Sequence, residues 1–230
     1  MRAMRLFLPL LALALLVSIP ARASDAPHDM KERLRACAVC HGDEGRSGLD
    51  AYYPTLAGKP AGYLEHQLRN FRDGHRHNPV MEGMLGVLSD DYLRAIAGYY
   101  AAQSPADAAP PASASAETLG RGRALVEHGD AARKVPACHA CHGKRLTGTA
   151  PDIPGLIGLR VEYLTAQLGA WREGVRKATA PDCMAAIVQR LDSDEIAAVT
   201  AYIASLPVQS DRRPSPRGSE KRPLDCGSAP

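Results

Sequence analysis

The sequence predicts an all-α fold in which one small helical domain is written twice. Three observations point there. The pentapeptide Cys37-Ala38-Val39-Cys40-His41 returns as Cys138-His139-Ala140-Cys141-His142. The segments that follow each copy return in the same order. No stretch alternates apolar and polar residues long enough to argue a sheet, whereas several runs repeat apolar residues at helical spacing.

The chain begins with the basic run Met1-Arg2-Ala3-Met4-Arg5, then an apolar run from Leu6 to Ile19, then Pro20 and Ala21-Arg22-Ala23. That order reads as a cleaved signal peptide over residues 1–23. The apolar run is short for a membrane span, and an uncleaved anchor is the alternative. The mature chain then starts at Ser24 in an oxidising, exported compartment. The formal net charge of +3 equals Arg2, Arg5 and Arg22, with no acid before Ser24. A near-neutral mature chain gives no nucleic-acid signal. Core material is sparse: Phe71 and Trp171 are the only Phe and Trp after the leader. Halves of this size are marginal on apolar burial alone, so a buried apolar group would complete each core.

In order, the first domain is expected over residues 24–103. Ala26 to Ala36 can form a short helix that delivers Cys37, and Gly42 to Leu49 reads as a loop. Pro60 suits a helix start. Tyr63, Leu64, Gln67, Leu68 and Phe71 then mark an amphipathic helix from Ala61 to Arg72, stopped by Gly74. His75 to Pro79 is a polar loop leading to Val80-Met81-Glu82-Gly83-Met84. Ser89 caps a helix running to about Ala102. Residues 104–117, rich in Pro, Ala and Ser, form a semi-extended linker.

The second domain, 118–207, repeats the order. Glu117 to His128 is helical and Gly129 ends it. Ile153-Pro154-Gly155-Leu156-Ile157-Gly158 echoes Tyr53-Pro54-Thr55-Leu56-Ala57-Gly58. Tyr163 to Leu168 echoes Tyr63 to Leu68, and Trp171-Arg172-Glu173-Gly174 echoes Phe71-Arg72-Asp73-Gly74. Asp192 and Glu195 have capping-box spacing before the last helix. Residues 208–230 read as a polar, flexible tail.

Cys-x-x-Cys-His is the spacing of c-type haem attachment. Two thiols can take thioether bonds to one haem, and the adjoining histidine can bind its iron. This gives two covalent haems, tethered by Cys37, Cys40, Cys138 and Cys141, with His41 and His142 as iron ligands. A redox dithiol wants a βαβ setting that is absent. One zinc held by all four cysteines leaves both histidines unexplained. The opposite axial ligand in the second half is read as Met184, the only methionine after the linker. Met81 stands in the matching place before Leu88, as Met184 does before Leu191. Met84 and His77 are its competitors. His/Met ligation raises the reduction potential and fills the site a substrate would need, which favours electron transfer over catalysis. The carbonyls of Pro54 and Pro154 are candidates to fix the histidine rings, unless both are plain turn prolines. Arg72 and Arg172 are candidates to meet haem propionates, unless they are solvated helix ends.

With these residues in hand, the chain resembles the dihaem cytochrome c4 family, class I c-type cytochrome domains in tandem, over about residues 30 to 207. The resemblance implies a periplasmic carrier with His/Met ligation in both lobes and haem propionates near the lobe contact. It implies as partners a terminal oxidase, a quinol–cytochrome c reductase or a dehydrogenase of the respiratory chain, with peripheral membrane association an open option. A dedicated cytochrome subunit of a dehydrogenase or sulfur-oxidising complex is the alternative, and a dihaem enzyme a third. Two features depart from the family: Cys183 beside Met184, and the tail carrying Cys226. In an oxidising compartment these two cysteines are expected to form a disulfide. A free Cys183, or Cys183 as an iron ligand, is the competing reading.

Overall fold

A computed structural model describes residues 29–47, 53–105, 108–219 and 221–229. The leader and the first residues of the expected Ala26–Ala36 helix lie outside them. Where that helix was expected there are two: α1 (Met30–Arg33), capped by Asp29, and α2 (Arg35–His41). The second carries the whole first pentapeptide. A short 3-10 turn, Asp43–Gly45, follows in the expected loop. Next come α3 (Ala61–Arg72), α4 (Pro79–Leu85) and α5 (Asp90–Ala101). The second half holds α6 (Ala116–His128), α7 (His139–His142), α8 (Val161–Arg172), α9 (Cys183–Val188) and α10 (Ser193–Ser205). The mostly helical expectation holds, with one small addition. The two-residue strands β1 (Gly148–Thr149) and β2 (Ile153–Pro154) pair antiparallel. They are too short to leave any alternation in the sequence.

Apolar residues gather in two clusters, one per half. Leu34, Leu64, Phe71, Leu93, Ile96 and Tyr100 centre the first. Leu125, Val126, Leu164, Val188, Ile196 and Val199 centre the second. The amphipathic faces read from the sequence build both, since helices three to four turns long are held mainly by such packing. In the second half α6 crosses α10 so closely that a Cβ on Gly122 would overlap the Ala198 carbonyl. Gly122→Ala is therefore expected to cost roughly 1–3 kcal/mol by overpacking, read as a lower denaturant midpoint at unchanged slope. Gly120, which faces open space, should accept alanine without loss.

The expected flexible tail lies along the second half. Ser215 accepts from Ala150 N at 2.8 Å and donates its own N–H to the Gly148 carbonyl at 2.9 Å. Arg145 donates to the Asp211 carbonyl at 3.1 Å. Cys226 is disulfide-bonded to Cys183. Polar composition suggested freedom, and the covalent link with a few backbone bonds removes it. Among the described residues no helix is long and apolar enough to cross a membrane.

Candidate functional site

Each pentapeptide ends on a buried histidine. The Nδ1 of His41 lies 3.0 Å from the Pro54 carbonyl, and that of His142 lies 2.8 Å from the Pro154 carbonyl. A carbonyl can only accept, so each Nδ1 carries the proton. The lone pair is thereby left on Nε2, the tautomer a metal ligand needs. Burial pushes both imidazoles below the ordinary histidine range, against the pull of those carbonyls. The rings stay neutral, as ligation requires. The second copy is also anchored from behind: His139 Nε2 lies 2.7 Å from the Glu127 carbonyl on α6.

The four cysteines of the pentapeptides are free and half-buried. Burial raises the Cys37 thiol and pushes that of Cys138 up to about 12. Among the described residues no group of three or more His, Cys, Asp or Glu converges as metal ligands would. A zinc site joining both cysteine pairs is therefore not assembled.

Met81 packs against the first apolar cluster, as Cys37 does, and Met184 against the second, as Cys138 does. Both helices begin on a side-chain cap. Asn78 accepts from Val80 N and Met81 N at 3.1 Å, and Asp182 accepts from Ala185 N at 3.0 Å. These caps fix where each helix starts and hence where its methionine points. Met84 is 39% exposed. His77 faces Glu82, with Nδ1 3.3 Å from Oε1. Neither competes with Met81 for an inward position.

Arg72 and Arg172 take protein partners near the ends of their helices. Arg72 donates to Asp73 and Asp90 at 2.8 and 2.7 Å, and Arg172 to Ser193 Oγ at 3.0 Å. The arginines between the halves are Arg76 and Arg176, whose backbones pair across the contact. Arg76 donates to Gln67 and Gln167 at 2.9 and 2.6 Å. Arg176 donates to Gln167 and Gln67 at 2.8 and 2.9 Å and to the Tyr63 hydroxyl at 3.3 Å. Each guanidinium stacks on its own half's aromatic ring, Arg76 on Phe71 and Arg176 on Trp171. The arrangement is close to two-fold symmetric. The signal was available: the echo from Phe71 and Trp171 runs on in register to Arg76 and Arg176. A polar loop hid it.

Among the described residues neither arginine has a carboxylate partner. Arg176 is 3% exposed. Its Nε and the neighbouring Trp171 Nε1 are buried without a hydrogen-bond acceptor. Burial lowers the Lys59 ammonium nearby. Burial pushes the Tyr63 phenol up, and Arg176, Arg76 and Lys59 together outweigh it, pulling it down to about 8. Buried cations without an anion are costly. This cluster fits a ligand that brings carboxylates between the halves, and haem brings two per ring. Histidine tautomer, free thiols, inward methionines and unbalanced cations all fit haem c.

The fold and these sites define class I c-type cytochrome domains in tandem. Residues 121–207 match the family model described as cytochrome c. A thiosulfate dehydrogenase electron acceptor of Stutzerimonas stutzeri (strain A1501) is 39% identical over 199 residues, covering 84% of this chain and 91% of that protein. Cytochrome c4 of Pseudomonas aeruginosa is 35% identical, covering 74% of this chain and 83% of that protein. The crystal structure of reduced cytochrome c4 from Pseudomonas stutzeri superposes with a TM-score of 0.65 at 30% identity, covering 77% of this chain and 96% of that one. The chain belongs to the cytochrome c4 family, and it is an electron carrier binding haem iron.

Proposed function

We propose that the mature chain, residues 24–230, carries two haems c in the periplasm and passes single electrons between redox proteins. The leader 1–23 directs export, and the domains are 24–103 and 118–207, joined by 104–117. Cys37 and Cys40 would tether the first haem, with His41 and Met81 to hold its iron. Cys138 and Cys141 would tether the second, with His142 and Met184 to hold its iron. When bound, haem supplies an iron that cycles between ferric and ferrous forms. The protein keeps both rings oriented through the Pro54 and Pro154 carbonyls, and its apolar clusters exclude water. Arg76 and Arg176 offset propionate charge at the contact between the halves. The observation that carries this reading is the duplicated donor set, with each histidine bonded at Nδ1 to a matching proline carbonyl.

A second reading is favoured by the name of the Stutzerimonas relative: service as the electron acceptor of a thiosulfate-oxidising dehydrogenase. Both readings require two electrons taken up per chain and two low-spin irons. Anaerobic reductive titration of the exported protein tests this. Uptake of one electron, or a high-spin fraction near half the iron at neutral pH, would overturn it in favour of a dihaem enzyme. Rapid reduction by a thiosulfate dehydrogenase with thiosulfate, or co-purification with a dehydrogenase from the native periplasm, would select the second reading.

A further inference from the structure

The two halves differ most at the open side of their sites. In the first half the residues flanking the tether and the methionine helix are bare. Val39, between the two tether cysteines, is 85% exposed, and Val80, next to Met81, is 63% exposed. Their counterparts are Ala140 and Cys183. Ala140 is half-buried. Cys183 is tied to the tail.

The tail takes a definite path across this side of the second half. At one end, Ser215 pairs with the β1 turn. Thr149 in that turn donates its hydroxyl to the Cys141 carbonyl at 3.0 Å. This end is fixed to the tether. At the other end Cys226 is bonded to Cys183, the residue before Met184. Gly227 N donates to the Pro181 carbonyl at 3.1 Å. A Cβ on Gly227 would overlap the Ala180 carbonyl, so only glycine lets the chain lie this close. Between the ends, Arg222 donates to the Ala229 carbonyl. The described tail residues, 215–219 and 221–229, are therefore held as a strap, at the tether side by Ser215 and at the methionine helix by Cys226. Among the described residues the first half carries no disulfide of this kind.

We propose that this strap closes the solvent side of the second haem site, so that the first half is the route by which electrons enter and leave both haems. The inference rests on the two-haem reading above. Electrons held in the second half leave by passing inward to the first haem and then outward past Val39.

Stopped-flow oxidation of the fully reduced protein by hexacyanoferrate(III) at low ionic strength tests it. Each ferrous haem gives one electron to one hexacyanoferrate(III), yielding ferric haem and hexacyanoferrate(II). Val39→Glu sets a negative charge beside the first site and repels this anion. It is expected to slow oxidation about 5-fold in the intact protein. In protein lacking residues 214–230 the same change should slow oxidation less than about 2-fold, because the second site is then open. Cys226→Ser, which frees the strap without deleting it, is the second variant and should act in the same direction. Independently of rates, strap removal should shift one of the two reduction potentials more than the other. Equal slowing by Val39→Glu with and without the strap overturns the proposal, as do two unshifted potentials. The chain mass is read first: fewer than two haems in the intact protein overturns the haem reading itself, a separate failure.

Discussion

Met81→Leu is expected to abolish half of the weak far-red charge-transfer absorption of the ferric protein, while Met84→Leu leaves it whole. The band belongs to ferric haem with a methionine sulfur on iron, and two sites contribute equally. Met81 packs against the first apolar cluster, whereas Met84 is exposed on the next turn of α4. Leucine keeps the apolar volume, and such swaps usually cost less than about 1.5 kcal/mol, so the fold survives. The soft thioether favours ferrous iron, and its loss should lower one of the two potentials. Axial ligands span about 0.8 V between them, so the fall should be a sizeable fraction of that range. Absorption spectra with a potentiometric titration check both points. Loss of the band in Met84→Leu rather than Met81→Leu would reassign the ligand.

Arg176→Gln should lower both reduction potentials, and Arg172→Gln should leave them unchanged. The sign follows from charge. A cation near the iron disfavours the ferric form, which is the more positive, so its removal favours oxidation. A buried charge acting through an effective dielectric near 20 over on the order of 10 Å contributes on the order of 1 kcal/mol, or about 40 mV for one electron. Arg172 is exposed and bonded to Ser193, where solvent screens it. Glutamine at 176 can still donate one hydrogen bond, and Gln67 and Gln167 keep Arg76 as a donor. The contact between the halves should therefore persist. Spectroelectrochemistry of the two variants side by side separates the buried arginine from the exposed one.

Much of this architecture was legible because its causes are local. Helix α3 falls on Ala61–Arg72 as its periodicity demands, and Asp192 and Glu195 form the capping box that their spacing implies. The cysteine tethers and their histidines follow from covalent chemistry and need no tertiary information. The choice of Met81 came from internal repetition, and burial points the same way. What was missed depends on contacts between distant segments. Arg76 and Arg176 matter through each other, one hundred residues apart in partnership with Gln67 and Gln167, separations of 91 and 109 for the cross pairs. Arg72 and Arg172 drew attention because a guanidinium fork fits a carboxylate, a property that every arginine shares. The tail's composition argued for freedom; the expected Cys183–Cys226 disulfide was the sign against it, and the backbone pairing at Ser215 could not be weighed from composition.

The shared arginine pair also makes the two halves one electrical object. Each glutamine oxygen accepts from both guanidiniums, so neither cation belongs to one side. A charge added on one side is felt through this pair on the other, and by reciprocity the effect is mutual. The two midpoints then belong to the molecule rather than to either half. With a haem in each half, as proposed, the first electron is expected to make the second harder to add, even between halves of identical make. The two electrons would then be held unequally, one given up readily and the other kept in reserve.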